Sequence, residues 1–175
     1  MSNLGVYWPY LLGRIGLSAV SLVLAAFLFC GCSTPSDLPN FAVVDKGMGV
    51  YRSGQPTKAG FEILRTRYGV TNVIKLNLDS EGIDRLAPDQ VEEYIPITLA
   101  EQLFKTPAWK IESAVADVTP GTLVHCSHGE DRTGVVVACW HLENGWSWVA
   151  CSKEMDAHNF HHTLFGLDRY WEAQK

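Results

Sequence analysis

Positive charge is scarce in this chain. Fourteen lysines and arginines face nineteen aspartates and glutamates, a formal net charge of −5. That balance argues against nucleic acid as a partner and gives no general attraction to anionic membranes. Cysteine is sparse as well. Five are spread over 175 residues, with no Cys-x-x-Cys pair and no Cys/His spacing of the kind that holds zinc. No segment repeats and none is of low complexity, which removes solenoids and collagen-like arrays. A comfortable membrane span is lacking too. Residues 17–29 are almost wholly apolar and uncharged, but they fall short of the ~20 residues a spanning helix needs unless the stretch is extended back to Tyr7. What is present is a hydrophobic fraction of 47%, ordinary for a globular core, in a length that suits one domain plus an appendage.

The appendage is the N-terminus. Arg14 precedes the apolar run, and Gly31-Cys32-Ser33-Thr34-Pro35-Ser36 follows it. A cation, an apolar core and then small residues is the order of a secretory signal. Gly31-Cys32 resembles the cleavage site of bacterial lipoproteins. The resemblance implies that Cys32 becomes a lipid-bearing first residue and that the protein is tethered to a membrane of the cell envelope. An uncleaved anchor and simple secretion are the alternatives. The expected organisation is a signal or lipoprotein segment over residues 1–32, a tether over 33–40 and a folded domain over 41–175.

Within that domain, period and punctuation alternate between strand and helix. Residues 41–51 read as a strand or hairpin, with Lys46-Gly47-Met48-Gly49 as the turn. Residues 57–68 have helical spacing, with Thr57 as cap and Gly69 as stop. Residues 70–78 form a buried-strand candidate, followed by a polar loop over 79–89 and another strand over 93–98. Helices are expected over 109–118, 134–143, 146–158 and 168–173, with a strand over 121–124. Such alternation implies an α/β fold, a central, mostly parallel sheet flanked by helices.

The strand at 121–124 and the helix from 134 enclose His125-Cys126-Ser127-His128-Gly129-Glu130-Asp131-Arg132-Thr133-Gly134. A loop that ends at a helix N-terminus presents unpaired N–H groups and binds anions. A cysteine in that field ionises readily, and the thiolate is the nucleophile. Arg132 offers a planar donor fork for two phosphate oxygens. The stretch resembles the signature loop of the protein tyrosine phosphatases: His-Cys, five residues, then Arg, Ser or Thr, and Gly. Tyr51-Arg52-Ser53-Gly54-Gln55-Pro56 is similar to the entry segment of that family's compact dual-specificity branch.

The resemblance implies a phosphoester hydrolase working through a phosphocysteine, with no metal or cofactor, on a phosphorylated protein or small molecule. It implies that Cys126 attacks, that Arg132 clamps the phosphoryl group, and that Ser127, His128, Gly129 and Glu130 surround the substrate. The Thr133 hydroxyl would ease departure of the thiolate, and Arg52 would either help hold substrate or brace the loop. Glu130 should point away from a dianion. Two other readings stay open: a phosphate-binding pseudophosphatase, and a redox enzyme of the arsenate-reductase kind, for which Cys139 or Cys151 would resolve. Those two cysteines either pair or pack as small hydrophobes. His158, His161 and His162 are either a metal cluster or a solvated loop.

The general acid is where the chain departs from the family pattern. Most members carry an aspartate on a separate loop before the nucleophile. Residues 94–102, the corresponding interval, hold no aspartate and one carboxylate, Glu101. Asp131 ranks first as the acid by its place in the loop, then Glu101, then Asp79. Glu81 and Asp84 lie on the same polar loop as Asp79.

Overall fold

In a computed structural model, residues 37–78 and 86–175 are described. Residues 1–32, read above as a signal or lipoprotein segment, lie outside them, as do Asp79, Glu81 and Asp84. Among the described residues, no helix is long and apolar enough to cross a membrane.

The described chain forms strands β1 (Ala42–Asp45), β2 (Val50–Ser53), β3 (Asn72–Lys75), β4 (Val91–Tyr94) and β5 (Thr122–His125). Its helices are α1 (Lys58–Tyr68), α2 (Leu99–Leu103), α3 (Ala108–Ala116), α4 (Asp131–Glu143), α5 (Trp148–Ala157) and α6 (Phe165–Glu172). The sheet order is β1-β2-β5-β3-β4. The β1–β2 hairpin is antiparallel and every other pairing is parallel, so the expected fold class holds.

Local chemistry explains most boundaries. Thr57 caps α1 by accepting from Gly60 N–H at 3.1 Å, and Gly69 closes it in the left-handed conformation at φ 67°. β4 starts two residues before the expected strand, and Ile95 and Ile97 continue its bonding to β3's end through Lys75 O and Leu76 O. Helix α2 is not among the expected elements, although the residues of its capping box stand in the sequence: Thr98 Oγ1 accepts from Glu101 N–H and Glu101 Oε2 from Thr98 N–H. Residues 37–40, read as the end of a tether, are packed instead. Leu38 is buried, and Pro39 O accepts from Gly54 N–H at 2.7 Å.

Side-chain alternation along the strands splits the core in two. Ile74 and Val124 face Val135, Val136 and Ile111 on the side of α3 and α4. Val73 and Leu123 face Phe61 and Leu64 of α1. The central strand β5 is buried at every residue, and it delivers Cys126 to the carboxyl edge of the sheet, where α/β sheets bind their ligands.

Candidate active site

β5 ends at His125 and α4 begins at Asp131, so residues 126–130 must turn within one short loop. Gly129 makes the turn possible. Its φ is +74°, and a Cβ there would meet Ser53 C and Gly54 N at 2.4 Å. Glycine is therefore demanded here by the backbone at β2's end. A Gly129→Ala variant is strained twice over, by conformation and by collision.

The loop's carbonyls are tied from outside. Gln55 N–H donates to Ser127 O at 3.0 Å, and Arg52 Nη2 donates to Gly129 O at 2.8 Å. In a planar trans peptide the C=O and the following N–H point opposite ways. Anchoring these carbonyls outward therefore aims the N–H groups of His128 and Glu130 inward. Gly129 N–H donates to Cys126 Sγ at 3.3 Å, so the sulfur sits at the bottom of a cup of N–H donors at the start of α4.

Arg132 is fixed beside the loop by three hydrogen bonds. Its Nη1 donates to Leu76 O (3.4 Å) and Ile97 O (3.3 Å), beyond β3 and β4, and its Nη2 donates to Ser127 Oγ at 3.0 Å. Its buried Nε–H has no partner among the described residues. A guanidinium pinned by two carbonyls keeps its orientation and still has donors to offer an oxyanion. Thr133 is wholly buried, and its hydroxyl has no partner among the described residues. At that burial it offers no exposed surface to a substrate.

A cleft of about 340 Å³ opens beside the cup, lined by Leu78, Leu99, Gln102, Ser127, His128, Asp131, Arg132 and Leu164. Asp131 thus reaches the cleft, while Glu130 is not among its walls and gathers with Asp131 and His161. Asp131 Oδ1 accepts from His161 N–H at 2.8 Å and lies 3.0 Å from His161 Nδ1. Glu101 is committed elsewhere. Burial pushes its pKa up, but hydrogen bonds from Lys110 and Thr98 and the charge of Lys110 bring it below the ordinary carboxylate value. Lys110 Nζ stands 2.8 Å from it. Unlike Asp131, Glu101 is not among the residues that line the cleft.

Three other candidates resolve on geometry. Arg52 is fully buried and pairs with Glu154 Oε1 at 2.6 Å. Of its two readings, bracing the loop fits this placement, and contact with substrate does not. His125 packs edge-on to Phe61, on the α1 side of the sheet. Burial, then the nearby charge of Lys75, lowers its pKa to about 3, so the ring is neutral across the working pH range. The three C-terminal histidines do not converge: His158 faces Asn40 and Glu154, His161 faces Asp131, and His162 bridges Asp156 and Asp168.

Cys139 and Cys151 are free and buried. Burial first, then Glu143, pushes the Cys139 thiol up to about 12, and burial raises Cys151. Cys139 stands eight residues past the start of α4, ~12 Å along its axis. Neither thiol suits a resolving role beside Cys126.

A cysteine under a cup of N–H donors, beside an arginine pinned at the carboxyl edge of this sheet, is an arrangement suited to holding a phosphoryl group. The comparisons agree. Residues 100–150 match the model of the "Tyrosine phosphatase family". A curated relative from Mycosarcoma maydis, named "Putative tyrosine-protein phosphatase OCA1", is 29% identical over 126 residues, 66% of this chain and 77% of its own length. The fold is similar to the core catalytic domain of the PP-IP phosphatase SIW14 from S. cerevisiae in complex with citrate, with a TM-score of 0.58 and 21% identity over 70% of this chain and 78% of that one. It is also similar to TpbA of P. aeruginosa in complex with pTyr, with a TM-score of 0.59 and 19% identity over 79% and 90% of the two chains. These findings support the protein tyrosine phosphatase superfamily, and the chain is a tyrosine-phosphatase-like hydrolase.

Proposed function

We propose that this phosphatase hydrolyses singly phosphorylated side chains or small phosphoesters through a phosphocysteine on Cys126. The observation that carries the reading is the convergence of Cys126 Sγ, the Gly129 N–H and the pinned Arg132 on one cup. The Cys126 thiolate attacks phosphorus, forming an S–P bond as the P–O bond to the leaving group breaks. The loop N–H groups and Arg132 take up the charge on the equatorial oxygens. Asp131 gives its proton to the departing oxygen. It then accepts one from the water that cleaves the S–P bond and releases inorganic phosphate.

The cleft supports the substrate class. Leu78, Leu99 and Leu164 give it apolar walls, and among the described residues Arg132 is the one lysine or arginine that lines it. A phosphotyrosine side chain fits such walls, whereas a polyphosphorylated inositol would bring further negative charges toward Asp131, with no second lysine or arginine among the described lining residues to meet them. TpbA, whose structure holds pTyr, and SIW14, a PP-IP phosphatase, stand on either side of this choice. The test is acid quenching during turnover of radiolabelled phosphotyrosine peptide, phosphoserine peptide and inositol polyphosphate. Label on Cys126, with the phosphotyrosine peptide turned over fastest, is expected. Turnover with no phosphate on Cys126, or preference for the inositol, overturns the reading.

Asp131→Asn is expected to slow hydrolysis of an alkyl phosphate by ~10²-fold, the common worth of a positioned acid. An aryl phosphate with an acidic leaving group should lose much less, because its oxygen departs without a proton. Equal slowing of both substrates would make Asp131 structural. We also propose tethering at the cell envelope by a lipid on Cys32. Mass spectrometry of the native N-terminus should find an acylated Cys32; a first residue at Met1, or an unacylated one elsewhere, refutes it.

A further inference from the structure

Behind the phosphate loop lies a set of polar groups that the chemistry above does not use. Asn40, in the segment before β1, has φ 48°, a left-handed conformation that asparagine tolerates better than most side chains. Its Nδ2 donates to Gly129 O at 3.2 Å, His128 O at 3.4 Å and His158 O at 3.5 Å. Its Oδ1 lies 3.0 Å from His158 Nδ1, which donates to it. His158 follows α5, and its Nε2 is 3.5 Å from Glu154 Oε1, the oxygen that also holds Arg52. Arg52 returns to Gly129 O. Asn40 and Arg52 thus reach the same carbonyl, Gly129 O, from two sides, with His158 on Asn40 and Glu154 on Arg52.

The orientation of the Asn40 amide follows from its neighbours. Three carbonyl oxygens require the NH2 end, and the His158 N–H requires the oxygen. Once set, the amide holds two successive loop carbonyls outward. The His128 carbonyl shares its peptide plane with the Gly129 N–H, and the Gly129 carbonyl shares its own with the Glu130 N–H. Those two N–H groups are donors of the cup, and the first already meets Cys126 Sγ.

We propose that Asn40, oriented by His158, is a positioning residue of the phosphate loop that fixes the direction of the Gly129 and Glu130 N–H groups. This rests on the phosphate-binding reading of the loop. The consequence is a residue 86 positions before the nucleophile that controls oxyanion affinity without touching the oxyanion.

The experiment measures vanadate inhibition and kcat/KM per active site, with melting temperature alongside. Asn40→Gly suits the left-handed backbone and removes only the side chain; it should weaken vanadate inhibition and kcat/KM together by roughly 10-fold, a partial loss of donors that are each worth ~10²–10³ in rate. Asn40→Asp also tolerates the backbone but turns a carboxylate oxygen toward the loop carbonyls, and the joint loss should reach roughly 100-fold. His158→Phe should cost less in the Asn40→Gly background than in the wild type, because it acts through the amide. Wild-type vanadate inhibition in Asn40→Asp, with the damage confined to the melting temperature, overturns the proposal. Additive losses for His158→Phe overturn its orienting role. A wild-type enzyme that vanadate does not inhibit overturns the loop reading and this proposal together.

Discussion

Replacing Cys126 by serine is expected to abolish turnover of a generic aryl phosphate, by ~10⁴-fold or more, the scale of losing a nucleophile, while the fold survives. The substitution is nearly isosteric at a site that is 2% exposed. The Gly129 N–H that meets the sulfur at 3.3 Å can equally donate to a hydroxyl, so the loop keeps its shape. What is lost is the nucleophile's charge. A serine hydroxyl stays protonated near neutral pH, and the Gly129 N–H that meets Cys126 Sγ is a donor that takes no proton from it. His125, the nearest imidazole in sequence, points to the opposite side and packs on Phe61. The check is steady-state turnover with circular dichroism on the same sample. Undiminished turnover in the serine variant would remove Cys126 from the mechanism.

Arg132→Lys is expected to be nearly as damaging as Arg132→Ala, both losing about 10³-fold or more in kcat/KM, the lower range for an arginine that clamps a transferring phosphoryl group. Arginine is held here by geometry as much as by charge. One guanidinium nitrogen bonds two backbone carbonyls, and the other bonds Ser127 Oγ. A lysine ammonium is a single point with three donors and cannot satisfy that frame while facing two phosphate oxygens in a plane. The comparison of the two variants is the measurement. Near-normal rates with lysine would show that charge alone suffices and that the pinned plane is incidental.

The Cys126 loop and its cup of N–H donors are legible in the amino-acid sequence alone. The Cys126-to-Arg132 spacing, the strand before it and the helix after it specify an anion cup, because an unpaired helix N-terminus offers N–H donors wherever it occurs. The α/β class follows from alternating periods, and Thr57 and Gly69 bound α1 by side-chain and backbone chemistry local to them. These features are set by neighbours within a few residues, which is why sequence determines them.

The tertiary structure decided what depends on residues far apart in the chain. From sequence Arg52 could hold substrate or brace the loop; in the fold it is buried, pairs with Glu154 at 2.6 Å and donates to Gly129 O. Gly129 is required by the backbone of Ser53 and Gly54, a contact no motif records. Asn40 looked like the end of a tether, yet it bonds carbonyls 88 and 89 positions away. Glu101 matched the interval of a general acid, but the capping box of a five-residue helix and Lys110 claim it. In each case the deciding partner is brought in by sheet pairing and helix packing, and the physical reason is the same. A polar group buried on folding must find its partner in the assembled structure, and sequence distance says nothing about which partner that is.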